Sequence, residues 1–153
     1  MREHLKEYRY SQHVSPELFA HQTDWLLRWQ GRDPAVPNLF SLVLIDFVSP
    51  QKLGDALGAP YAMQLIEQVD RRLGDALRST DLLCRTHVSR FWVLLPHGAP
   101  GIVLGKLEPI LSQARADGLG ATHLRLATLT LPKDLKGETS ALELFDRLAD
   151  HRG

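Results

Sequence analysis

Apolar residues first fall into a regular spacing over residues 16–30 (PELFAHQTDWLLRWQ). Leu18, Phe19, Trp25, Leu26 and Trp29 share one helical face there, with Ser15 as N-cap and Pro16 at the first helical position. The spacing predicts a helix whose tryptophans pack on a sheet. GRDPAVPN, with two prolines and a glycine, reads as a loop. FSLVLIDFV (40–48) is a dense apolar run bounded by loop signals, which predicts a fully buried strand. A second helix is predicted over about 59–77, carrying Met63, Ile66, Val69, Leu73 and Leu77 on one side. LLCRTHVSRFWVLLP (82–96) has two apolar runs around a polar centre, so it predicts two antiparallel strands joined by a tight turn at His87–Arg90. A third helix is predicted over about 99–117, stopped by Gly118 and Gly120, with Pro109 marking a kink or break. HLRLATLTL (123–131) alternates as a strand does, and SALELFDRLAD (140–150) closes the chain as an amphipathic helix.

After the opening helix the order is strand, helix, strand, strand, helix, strand, helix. That is the βαββαβ order of an α+β fold, ferredoxin-like or nucleotidyl cyclase-like, with an antiparallel-rich central sheet and helices packed around it. Residues 1–15 read as a linker or lead-in and 16–153 as the domain. Such an order serves many unrelated functions.

Composition narrows the class. At 153 residues the chain suits one domain with one core. Its 18 basic and 18 acidic residues cancel, which removes the electrostatic footprint of a DNA, RNA or anionic-membrane binder. The single cysteine, Cys84, forbids an intrachain disulfide and fits a reducing cytoplasmic setting as a small core residue. The longest apolar runs are of strand length, so direct membrane insertion is not expected. The seven histidines have no pair at a helical ligand spacing, and His87 in the turn is expected to face solvent.

The segments around the first strand and the hairpin carry a resemblance. FSLVLIDFVSPQKLGDALG resembles the GGDEF-domain stretch LLxxDIDxFKxINDxxGH, and LRSTDLLCRTHVSRFWVLLP resembles LRxxDxxxRxGGDEFxxLLP. The closing SALELFDRLAD is similar to that family's final helix, xAxxLLxxAD. The resemblance implies the diguanylate cyclase fold. In that family two GTP molecules, one in each half of a dimer, condense with two metal ions that neutralise developing charge.

Position by position, Asp46 matches the first metal-binding aspartate and Val48 stands where the second acid is expected. Pro50 and Gln51 replace the following phenylalanine and lysine. Gly54 replaces the guanine-reading asparagine, Asp55 keeps the next aspartate, and Met63 takes the place of the later base-reading aspartate. The signature turn becomes His87, Val88, Ser89, Arg90 and Phe91, keeping only the phenylalanine. A β-branched valine disfavours the open backbone angles of glycine, and the fixed charge of Arg90 repels divalent cations. The DxLTGLxNR segment has no counterpart in YRYSQHVSP (8–16). On these departures the chain is expected to be a degenerate GGDEF domain and no enzyme, without catalytic residues, metal or cofactor.

The resemblance also implies a ligand site. The family's product-binding motif, RxxD, lies five residues before the signature turn, and Arg78 and Asp81 stand at that spacing. Arginine can donate twice to the N7/O6 edge of guanine, and aspartate can accept from its N1–H and amino group. Two further copies, Arg72 to Asp75 and Arg147 to Asp150, lack the spacing and read as helix-surface ion pairs. Both groups of the middle copy are expected to be exposed, with Lys106 or Arg115 as a third contact. The expected partner is cyclic di-GMP. Ligand-independent docking to a protein partner or a second copy is the alternative, favoured if Trp25 and Trp29 turn out exposed, and a retained GTP chemistry at Asp46 and Asp55 is a third reading.

Overall fold

The computed structural model describes residues 13–30, 40–47, 50–96, 100–119 and 124–150. Val48 lies outside these, as do residues 1–12 and Gly120.

The elements run in chain order α1 (Pro16–Gln30), β1 (Phe40–Phe47), α2 (Pro50–Leu57), α3 (Ala59–Ala76), β2 (Leu82–His87), β3 (Arg90–Pro96), α4 (Pro100–Ala114), β4 (Leu124–Leu131) and α5 (Ala141–Asp150). The sheet order is β2-β3-β1-β4, and every neighbouring pair is antiparallel. This is the α+β arrangement that the element order predicts. The N-cap of α1 forms as its sequence predicts, Leu18 N–H donating to Ser15 Oγ at 3.1 Å.

Strand alternation divides the core into two halves. Val43, Ile45 and Phe47 face one way, against Leu53 of α2, Leu65, Ile66, Val69 and Leu73 of α3, and Leu107 and Leu111 of α4. Phe40, Leu42 and Leu44 face the other, against Phe19 and Leu26 of α1 and Leu144 and Leu148 of α5. Burying each such side chain stabilises the fold by roughly 1.5–3 kcal/mol. The central β1 is apolar on both faces because helices cover both.

Three features depart from the sequence reading. The short helix α2 precedes the predicted second helix. Gly58, at φ 88°, separates α2 from α3 in a backbone region that favours glycine. Pro109 lies inside α4 without ending it; the helix reaches Ala114, and a π-type turn over Arg115–Leu119 closes at Gly118, φ 131°. Trp25 and Trp29 do not pack on the sheet: they are 48% and 41% exposed and stack on each other with ring centroids 5.3 Å apart.

Candidate functional site

Helix α3 runs out at Ala76, and Leu77 takes an extended conformation that carries the chain to β2. The turn between holds Arg78 and Asp81. Asp81 N–H donates to Arg78 O at 3.0 Å, and Arg78 N–H donates to Asp81 Oδ2 at 2.7 Å, so backbone and side chain fix the turn together. The Arg78 guanidinium then folds back, Nη2 donating to Asp81 Oδ1 at 3.2 Å and Nε to Oδ2 at 3.4 Å. Nη2 also donates to Pro96 O at 3.1 Å, tying the arginine to the end of β3. Lys106 of α4 reaches Asp81 Oδ2 at 3.4 Å.

The expectation that both groups are exposed holds for Arg78, whose side chain is 46% exposed, and is corrected for Asp81, which is 0% exposed. The physical reason is that the carboxylate accepts from the turn backbone and from two cations at once, which compensates its removal from water. One negative charge thus holds two positive ones, and the half-exposed guanidinium is the outward face. The second cation is Lys106, while Arg115 pairs with Glu108 at 3.3 Å. Of the other two RxxD arginines, Arg72 reaches Asp117 and Arg147 reaches Glu138.

A second polar cluster lies at the far end of the sheet. Asp46 sits in register with Arg90 on β3 and Arg125 on β4. Its Oδ2 accepts from Arg90 Nη2 at 3.2 Å and from Arg125 Nη2 at 3.3 Å. Asp46 therefore cross-links three strands. The Val88–Ser89 turn is anchored beside it, Phe47 N–H donating to Ser89 O at 3.0 Å and the Arg85 guanidinium donating to Val88 O at 2.7 Å. Val88 and His87 are exposed, His87 as expected. Gly54 and Asp55 lie on α2, with Asp55 exposed, and Met63 is exposed on α3. Among the described residues no group of three or more His, Cys, Asp or Glu could hold a metal ion. With Asp46 engaged by two guanidiniums, the described residues do not fit the metal pair that the resemblance implies.

A third cluster is absent from the sequence reading. Arg85 Nη1 donates to the buried Asp70 at 2.9 Å and Nη2 to Glu67 at 2.8 Å, while its guanidinium lies 4.9 Å above the Phe91 ring. His13 Nε2 meets the other Asp70 oxygen at 2.7 Å, and Val14 N–H donates to Leu83 O at 2.9 Å. This network fastens the segment before α1 to the β2 edge. Its side-chain hydrogen bonds span 15 to 57 positions, and no periodicity links their partners.

Residues 18–115 match the family described as diguanylate cyclase, GGDEF domain. The chain belongs to the GGDEF-domain family. Solved GGDEF domains share its fold. That of YfiN (TpbB) from Pseudomonas aeruginosa matches with TM-score 0.62 at 18% identity over 89% of this chain and 85% of that one. That of DgcB from Caulobacter crescentus, in complex with c-di-GMP, matches with TM-score 0.62 at 15% identity over 90% and 81%. The diguanylate cyclase SiaD of Pseudomonas aeruginosa, in complex with its activator SiaC, matches with TM-score 0.55 at 16% identity over 88% and 52%. No curated protein matches.

Membership corrects one expectation. The GGDEF family is by its description one of cyclases, so the reading of this chain as no enzyme is set aside. The letters at Val48, Gly54, Met63 and His87–Arg90 are departures from a sequence pattern, and no finding shows catalysis to be lost. Among the described residues no helix of this GGDEF domain is long and apolar enough to cross a membrane.

Proposed function

We propose that this GGDEF domain, spanning 16–153 behind a lead-in of 1–15, is a cytoplasmic receptor for cyclic di-GMP, bound where α3 turns into β2. The supporting observation is the Arg78 guanidinium, half-exposed and held in a fixed plane by the buried Asp81. A fixed, outward guanidinium suits the paired acceptors of a guanine N7/O6 edge or a phosphate. Lys106, on the same carboxylate, adds a second positive charge. In this arrangement Arg78 contacts the ligand, and Asp81 orients Arg78. The ligand-bound DgcB domain shares the fold, which agrees with the reading.

Calorimetric titration with cyclic di-GMP tests it. We expect saturable binding that weakens at least ~10-fold in Arg78→Ala, the usual scale for losing a charged hydrogen-bonding group. Absence of binding, or binding unchanged in Arg78→Ala, would sink the receptor reading. Formation of cyclic di-GMP from GTP with magnesium or manganese, measured on the same protein, addresses turnover separately.

A second reading draws on the exposed Trp25–Trp29 stack. Two large aromatic faces on one helix favour docking to a protein partner or a second copy. Trp25→Ser with Trp29→Ser leaves the mass in light scattering unchanged if that stack makes no homodimer, and lowers it from dimer to monomer if it does.

A further inference from the structure

A cavity of about 490 Å³ lies against β4, and a shallower one of about 600 Å³ surrounds the Asp70 cluster; both are lined by ion-paired groups. A third, of about 280 Å³, is different in kind. It opens between the start of α1, the helix α5 and the hairpin end of β2 and β3. Its walls are aromatic: Phe145 lies 5.7 Å from Phe19 and 5.0 Å from Trp92 between ring centroids.

Two polar atoms in residues that line this cavity are buried and lack a hydrogen-bond partner, Thr86 Oγ1 and Arg90 Nε. Thr86 falls in the β-bulge where the β2–β3 register shifts between Arg85 and His87. Cys84, two positions earlier on β2, lines the same cavity, so strand alternation puts the Thr86 side chain on that face as well. The Arg90 Nε–H is a donor only, so an acceptor must satisfy it. Arg90 Nη2 also donates to Asp46 Oδ2 at 3.2 Å, which holds the guanidinium in place beside the cavity. Asp146 lines the α5 wall and His87 the hairpin side, so the acceptor group of a ligand belongs at Arg90, away from Asp146.

We infer that this cavity is a binding site for a small planar aromatic carboxylate. Its ring system lies among Phe19, Trp92 and Phe145, and its carboxylate accepts from Arg90 Nε–H and Thr86 Oγ1–H. The site uses no residue of the Arg78 turn, so it stands or falls independently of cyclic di-GMP binding.

Titration of the full chain with 2-naphthoate provides the test, since two fused rings suit this volume. We expect saturable binding with Kd on the order of 100 µM or tighter. The uncharged 2-naphthamide should bind about 10-fold more weakly, because it loses the charge at Arg90. Thr86→Val, which keeps the side-chain shape without the hydroxyl, should weaken 2-naphthoate about five-fold. Ala20→Leu, filling the α1 wall, should abolish binding. No saturation by about 5 mM, equal affinity for the amide, or full affinity in a folded Ala20→Leu protein would each overturn the assignment. If Ala20→Leu fails to fold, an unchanged affinity in Thr86→Val overturns it instead.

Discussion

The Cys84 thiol lies in the β2 wall with its pKa raised, first by burial and then by the negative charge of Glu17. The thiolate is the reactive form, so a buried thiol pushed upward is doubly protected. Alkylation by iodoacetamide at pH 8 is expected to run at least ~100-fold slower in the native protein than in urea, because it waits for an opening of the fold. Labelling at the unfolded rate would show that the α1–α5 side opens freely. At this scale the sequence was partly legible. A cysteine among apolar strand residues reads directly as core, and the Arg78–Asp81 spacing singles out a pair that the fold joins by hydrogen bonds. The burial of Asp81 was not legible, because it depends on Lys106 arriving from α4, 25 positions away. Nor was the fate of Asp46, whose two guanidinium partners come from different strands.

Between elements, the least obvious contact joins the first helix to the last. Asp24 of α1 accepts from the Ala141 N–H at 2.6 Å, capping α5 from outside its own sequence, while Ser140 Oγ accepts from Glu143 N–H at 3.3 Å. The start of α5 therefore has a side-chain acceptor from each helix, and an anion at a helix N-terminus is favoured by the dipole as well. Asp24→Ala should cost about 1 kcal/mol, lowering Tm by roughly 2–4 °C in a chain of this size. Circular dichroism melts check this, and Asp24→Asn, which keeps an acceptor, should recover most of the loss. An unchanged melt in Asp24→Ala would mean that water caps α5 equally well. Helices with five-residue apolar faces and strands with unbroken runs were readable from spacing. The missed α2 shows the limit: its eight residues include Gly54 and begin at Pro50, and only Leu53 reaches the core fully. A single buried side chain makes no periodicity. Trp25 and Trp29 mislead in the opposite way, since a helix-spaced aromatic pair looks like core while stacking on itself in solvent.

For the molecule as a whole, one sheet separates two core halves, and the link from β4 to α5 decides how one of them closes. That link is a run of charged groups. Lys136 N–H donates to Glu138 Oε1 at 2.7 Å, and Arg147 Nη1 donates to Glu138 Oε2 at 3.1 Å and to Asp134 O at 2.7 Å. Asp134 Oδ2 in turn accepts from Thr130 N–H at 2.7 Å, at the end of β4. These contacts hold the Glu138 carboxyl below its ordinary value of 4.5, the Lys136 backbone N–H being the largest cause. A carboxyl whose folded pKa is depressed binds protons more weakly folded than unfolded. Its contribution is then complete above the unfolded pKa, and it is lost as pH falls toward the lower folded value. Acidification from pH 5 toward pH 3 should therefore lower Tm, and Glu138→Gln should flatten that slope while changing the melt at pH 7 only slightly. A single partly solvated pair contributes little, so the diagnostic quantity is the slope and not the absolute stability. Parallel slopes for the two proteins would show that the acid sensitivity arises elsewhere than at the Glu138 pair.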